Sequence, residues 1–252
     1  MLLLPPGARV KFLGCEILHR EACRLASESP FVVDLQFMPK GLHDLSTAKM
    51  LETLQAAVDA AAAEGRYAAL LLGYARCNDG VVGLRAPAGL PLVIPRAHDC
   101  ITLFFGSRAA YGSYFDARPG TYFRTTGWTE RDDPKVNGQA GIMEQLGLAM
   151  SFEQMVEKYG RENAEFIRET LGDWRRNYKN LCYLEMGVCD ESAHVEQARR
   201  EAAENHWSFD GRRGDLALLS ALFNGPWQDD FVVVAPGRQI ISCNDPRVLD
   251  AT

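Results

Sequence analysis

Short apolar runs alternate with longer amphipathic stretches through the first hundred residues. Val10–Cys15, Phe31–Met38, Tyr67–Leu72 and Leu90–Ile94 are rich in β-branched and aromatic residues and read as strands. Glu16 to Ser27 reads as a helix stopped by Pro30. A longer helix runs through Ala63, capped by Asp44 or Ser46 and ended by Gly65, with Met50, Leu54, Ala57, Val58 and Ala61 at helical spacing. The Tyr67–Leu72 run is apolar throughout, as a parallel strand covered on both faces requires. Asp99–Phe105 reads as helical, and Ser107 as the N-cap of a further helix through Phe115.

The middle of the chain has a different texture. Arg118-Pro119-Gly120 is turn punctuation before an aromatic, Thr-rich run to Trp128, and Thr129–Gly141 reads as a polar surface loop. Ser151–Gly172 is helical in pattern, with Ser151 and Gln154 spaced as a capping box. Alternation then returns: Asn180–Met186 and Phe231–Ala235 read as strands, Ser192–Asn205 and Gly214–Phe223 as helices, and Arg238–Cys243 as a short edge strand. The pattern predicts an α/β fold, a mostly parallel sheet with helices on both faces and an inserted helical or lid segment. The expected division is 1–117 as an N-terminal half, 118–178 as the insertion or lid, and 179–252 as a C-terminal half, or all three as one continuous domain.

Composition narrows the function classes. A chain of 252 residues is long enough for a sizeable core. A formal charge of −6 and a pI near 5.5 give no electrostatic case for nucleic acid. Leu2–Leu4 follow no basic segment and form too short an apolar stretch for a signal peptide or membrane span, so a cytoplasmic protein is expected. Seven cysteines scattered along the chain are not a secreted disulfide framework. Taken singly, each is more often a small core residue than a ligand or nucleophile.

Their positions on the strand map change that picture. Cys15 ends the first strand, Cys77 follows the third, and His98 and Cys100 follow the fourth in Pro95-Arg96-Ala97-His98-Asp99-Cys100. His43 follows the second. In a parallel sheet these ends share one edge, where crevices form. Three chemistries fit. Cys15, Cys77 and Cys100, with His98 as fourth ligand or nearby acid/base, match the S and N donors of zinc. Three thiolates from separate strands equally suit a [4Fe-4S] cluster with one iron open. A metal-free nucleophile, Cys100 or Cys77, would work with His98 as base and Asp99 as orienter. Arg96 is the candidate partner of an anionic substrate. Tyr111, Tyr122 and Trp128 are candidate pocket walls. Asn78 sits in a Gly-rich loop, Gly73–Gly89, that matches neither a P-loop nor G-x-G-x-x-G.

Several stretches together resemble the bacterial and archaeal domain-of-unknown-function family sixteen-thirty-eight. They are Cys15-Glu16, Pro39-Lys40-Gly41-Leu42-His43, Leu72 to Gly80, Val93 to Ser107 and Pro119-Gly120-Thr121-Tyr122 with Gly127-Trp128. The chain departs from the family pattern at Ala75 and Asn78-Asp79, beside the retained Cys77. The resemblance implies that Cys15, His43, Cys77, His98 and Cys100 are characteristic positions. It also implies a setting in anaerobic methylamine and corrinoid methyl metabolism. The leading expectation is a metal-dependent enzyme of one-carbon or methylated-amine metabolism, a methyltransferase or lyase type, acting on a small anionic or methylated substrate. The rivals are a non-catalytic accessory protein that binds a corrinoid protein, and a metal-free cysteine hydrolase or transferase.

Overall fold

The computed structural model describes residues 2–44, 46–77, 79–132, 152–171 and 174–252. Contacts divide the chain into two units. The first is Met1–Tyr114, Met186–Cys189 and Arg213–Thr252; the second is Phe115–Glu185 and Asp190–Arg212. The 118–178 segment lies within the second unit.

The first unit is built on a five-stranded sheet. Its strands are β1 (Arg9–Cys15), β2 (Val32–Met38), β3 (Ala69–Gly73), β4 (Leu92–Pro95) and a later strand, β8 (Phe231–Val234), in the order β2-β1-β3-β4-β8. The first four run parallel, and β8 joins the β4 edge antiparallel. The fold is therefore α/β with a mostly parallel sheet, as the alternating pattern predicts. The strands are joined by α1 (His19–Glu28) and α2 (Thr47–Ala63). The Ser46 side chain accepts from the Lys49 amide at the start of α2, which satisfies one of its orphan donors. Every residue of β3 and β4 is buried, which explains their unbroken apolar sequence.

Register fixes where the strands end. Cys15 pairs with Met38 across β1 and β2, and Gly14 pairs with Gly73 across β1 and β3. Both glycines make room for the fully buried Phe12 ring. A Cβ on Gly73 would stand 2.2 Å from that ring and 3.0 Å from the Gly14 Cα; one on Gly14 would stand 2.4 Å from the ring. Phe12 in turn stacks on Phe223 at 4.9 Å and meets Phe37 edge-on at 6.0 Å. The ring cannot retreat, so the sequence needs glycine at both positions.

In the second unit, β5 (Thr121–Arg124) lies parallel to β6 (Asn180–Glu185), with β7 (Ser208–Arg213) on its other side. Leu181, Tyr183, Ala198, Ala202 and Trp207 form its core. Residues 129–132, expected in a loop, belong to a helix from Thr126 to Asp132. Thr125 caps it, its hydroxyl and carbonyl accepting from the Trp128 and Thr129 amides. Residues 133–141 and the Ser151 cap lie outside the described residues. The helical stretch after Ser151 is divided at Gly160, whose φ of +79° suits a residue without a Cβ. Two strands went unrecognised in the sequence: β7, in which Phe209 is the one apolar side chain, and Leu249–Ala251, which pairs antiparallel with Ile240–Ser242. Among the described residues no helix is long and apolar enough to cross a membrane.

Gly73→Ala is expected to lower stability by about 1–3 kcal/mol through overpacking against Phe12, read from urea denaturation. Gly112→Ala, with open space around the added methyl, should be neutral or stabilising.

Candidate functional site

The parallel strand ends carry the chemistry. After Cys15 the chain turns through Glu16–Leu18, and the Glu16 carboxylate accepts from the Lys40 amide at 2.7 Å. That bond ties the segment after β1 to the segment after β2. The segments after β3 and β4 are tied in the same way: the Arg76 amide donates to the Ala97 carbonyl at 2.9 Å and the Cys77 amide to the His98 carbonyl at 3.1 Å. The short sheet thus continues as paired loops, which bring Cys77 beside Cys100.

Cys77 is held in an unusual conformation. Its φ is +44° and that of Asp79 is +62°, a region few side chains adopt. Arg76 reaches over this turn to the Asp79 carboxylate at 2.5 Å, and the Gly80 amide donates to the Cys77 carbonyl at 3.1 Å. Cys100 precedes a short helix, Ile101–Phe104. Asp99 organises this end: one carboxylate oxygen accepts from the Thr102 amide and hydroxyl at 3.2 and 3.3 Å, the other from the Tyr111 hydroxyl at 2.8 Å.

The three thiols sit close enough to act on one another's ionisation. Burial pushes Cys15 up to about 12, and Cys77 and Glu16 add to it against a hydrogen bond from the Ile17 backbone. Burial likewise pushes Cys77 up to about 11, with Asp99 adding to it. Cys100 is raised well above the ordinary thiol range by burial, then by Cys77, Asp99 and Cys15. Tyr111 is raised by burial and by its Asp99 partner. Tyr74, which follows β3, is buried with its hydroxyl in electrostatic reach of Cys15, Cys77, Cys100 and Glu16. The arrangement is a cluster of thiols and phenols held toward their neutral forms, with Glu16 and Asp99 beside it. Among the described residues no three His, Cys, Asp or Glu side chains close on a single point to hold a metal ion.

The other expected residues are distributed as follows. The His98 side chain is exposed, and its carbonyl is what holds Cys77. Arg96 directs its guanidinium to the Phe231, Arg247 and Leu249 carbonyls and to Asp250, which fastens the C-terminal strand to the sheet. A cavity of about 640 Å³ beside it is lined by Arg96, Arg108, Trp227, Phe231 and Arg247, with Asp230, Asp245 and Asp250 paired to its arginines. His43 falls in the turn Lys40–Asp44 after β2, at the same sheet edge as Cys15; its side chain and all of Asn78 lie outside the described residues. Tyr122 and Trp128 belong to the second unit, where Tyr122 packs on Tyr178 and Trp207. Sequence reasoning passed over Tyr74 and Glu16. A tyrosine directly after an apolar strand and three residues before Cys77 was the available signal.

A family model described as "Protein of unknown function (DUF1638)" matches residues 37–223. The chain belongs to this family. The matched region contains Cys77, His98 and Cys100, and Cys15 lies ahead of it. No curated protein and no solved structure matches the chain.

The raised thiols set a pH dependence. Unfolding returns Cys15 and Cys77 toward the ordinary value of 9.0, so the unfolded chain loses these protons first. Their contribution to stability is full below pH 9 and is lost as pH climbs through the folded values. The urea midpoint of metal-free protein is expected to fall from pH 9 upward, and the Cys15→Ala/Cys77→Ala variant to show a flatter profile.

Proposed function

We propose that the chain is a thiolate-ligated metalloprotein that holds an iron–sulfur cluster on Cys15, Cys77 and Cys100. What supports this reading is the gathering of three cysteines, at the end of β1 and in the paired segments after β3 and β4, along one edge of the sheet. Three cysteines leave one iron of a [4Fe-4S] cluster without a protein ligand. The donor set favours a cluster over zinc. A zinc site would draw His98 in as its nitrogen donor, and that side chain is exposed.

The pocket suits such a group electrostatically. Neutral thiols tolerate burial, and a cationic iron centre would stabilise their deprotonated form and release protons on binding. The same burial speaks against the metal-free nucleophile, because a reactive cysteine needs a lowered pKa and these are raised.

When bound, the cluster supplies an open, Lewis-acidic iron for an oxygen or sulfur of a small substrate. The protein's own contribution is local. Asp99 accepts from Tyr111 and keeps its proton on the phenol oxygen at the border of the pocket. The strained turn at Cys77, braced by Arg76 and Asp79, sets the direction of one thiol. The family resemblance adds the setting. It supports an enzyme of one-carbon or methylated-amine metabolism, working beside corrinoid proteins on a small anionic or methylated substrate.

Anaerobically purified protein is expected to be brown and to contain about four irons per chain. Cys15→Ser, Cys77→Ser and Cys100→Ser should each lose most of that iron, and Cys23→Ser, an exposed helical position, should keep it. Metal analysis and the visible spectrum check this; a colourless wild type with about one zinc per chain would favour the zinc site instead.

A further inference from the structure

The two edges of the five-stranded sheet are finished differently. At the β8 edge, Arg96 reaches the Arg247 and Leu249 carbonyls and fastens the C-terminal segment there. At the other edge β2 ends the sheet, and among the described residues no backbone pairs with its outer side. An edge of that kind is a template for another strand, and proteins blunt it with Lys or Pro on the strand. β2 carries neither along its seven residues; Pro30 and Pro39 lie just outside them. Val32 is 48 % exposed, and the other six residues are all partly exposed.

Register shows which groups face outward. The Val32 amide donates to the Ala8 carbonyl, and Val32 pairs with Arg9. Successive residues of a strand direct their backbone groups to opposite edges. Val32, Asp34, Gln36 and Met38 therefore bond to β1, while Val33, Leu35 and Phe37 present theirs outward. That leaves three N–H and three C=O groups, six in all, on a strand with a single charged side chain, Asp34. Arg9 and Arg66 hold that carboxylate at 3.1 and 3.2 Å, so its charge is offset within the chain.

We propose that β2 is a homodimer interface, pairing antiparallel with β2 of a second copy of this chain about a twofold axis at Leu35. The strand is complementary to itself in that register. Leu35 meets Leu35 of the partner subunit, Val33 meets the partner's Phe37, and Phe37 meets the partner's Val33. Each is a pair that exchanges both N–H···O bonds, so all six outward groups are satisfied. Between them Asp34 falls opposite the partner's Gln36, whose amide can donate to it, and Val32 opposite the partner's Met38. Other registers are worse. An axis at Asp34 would set two carboxylates face to face. An axis at Gln36 would set Val33 opposite the partner's Pro39, which has no N–H to give. The interface is isologous and closes on two chains. It is independent of the metalloprotein reading.

The test is sedimentation equilibrium of the full chain over a concentration series, with circular dichroism to confirm folding. Wild type is expected to approach twice the 28.0 kDa chain mass as concentration rises. Leu35→Pro should stay folded, because that amide faces away from β1 and an edge strand tolerates proline there. It removes two bonds at the axis and should weaken association by about tenfold or more. Leu35→Lys, which sets like charges across the axis, should act in the same direction. Gln36 reads the register: Gln36→Glu, facing the partner's Asp34, should weaken the dimer, and Gln36→Lys should strengthen it. If Leu35→Pro fails to fold, the two Gln36 variants decide. A wild type that stays at 28.0 kDa throughout the series would overturn the inference, even if it captured a strand of another protein. So would a dimer that the folded Leu35 and Gln36 variants leave unchanged, since its interface would lie elsewhere.

Discussion

The pairing of β1 with β3 around the Phe12 ring is the constraint on which the site depends. Gly14 and Gly73 face each other across these strands because the ring occupies the space their side chains would take. With the ring clamped between Phe37 and Phe223, the strands have one register available. That register puts Cys15 at the end of β1 level with the loop that carries Cys77. The pairing of the loop backbone at residues 76–77 with residues 97–98 then brings up Cys100. A packing requirement in the core is thereby converted into the spacing of three cysteines.

Electrostatics gives that spacing its meaning. Burial raises all three thiols first of all; Cys77 adds to the rise at Cys15 and Cys100, Glu16 to that at Cys15, and Asp99 to that at Cys77 and Cys100. A bound metal group reverses the balance, because its positive charge turns the surrounding anionic character from a penalty into an attraction. The left-handed turn at Cys77, an uncommon conformation braced by an ion pair, belongs to the same design. Strain of this sort persists where a side chain must point in one direction.

Much of the fold could be read from the chain before its structure. The runs at Val10–Cys15, Tyr67–Leu72 and Leu90–Ile94 are strands because continuous apolar character suits a sheet covered on both faces. The same reading put Cys15, Cys77 and Cys100 at one sheet edge. Long-range pairing was less visible. Nothing in Phe231–Ala235 says that it docks antiparallel on β4, and only that docking explains why Arg96 holds the carbonyls of Phe231 and Leu249. His98 looked like a ligand because it is two residues from Cys100, yet its side chain is exposed and its carbonyl holds Cys77. Tyr74 was passed over because a tyrosine at a strand end reads as packing. What distinguishes it is a buried hydroxyl with no hydrogen-bond partner among the described residues, a property of its surroundings.

The central claim, that Cys15, Cys77 and Cys100 together hold one iron–sulfur cluster, is tested most directly by native mass spectrometry of the anaerobically purified chain. The account predicts a species heavier than the bare polypeptide by one four-iron, four-sulfide cluster, which collapses to the bare mass when any one of the three cysteines is replaced by serine. A wild-type chain found only at its bare mass, before and after incubation with iron and sulfide, would contradict it.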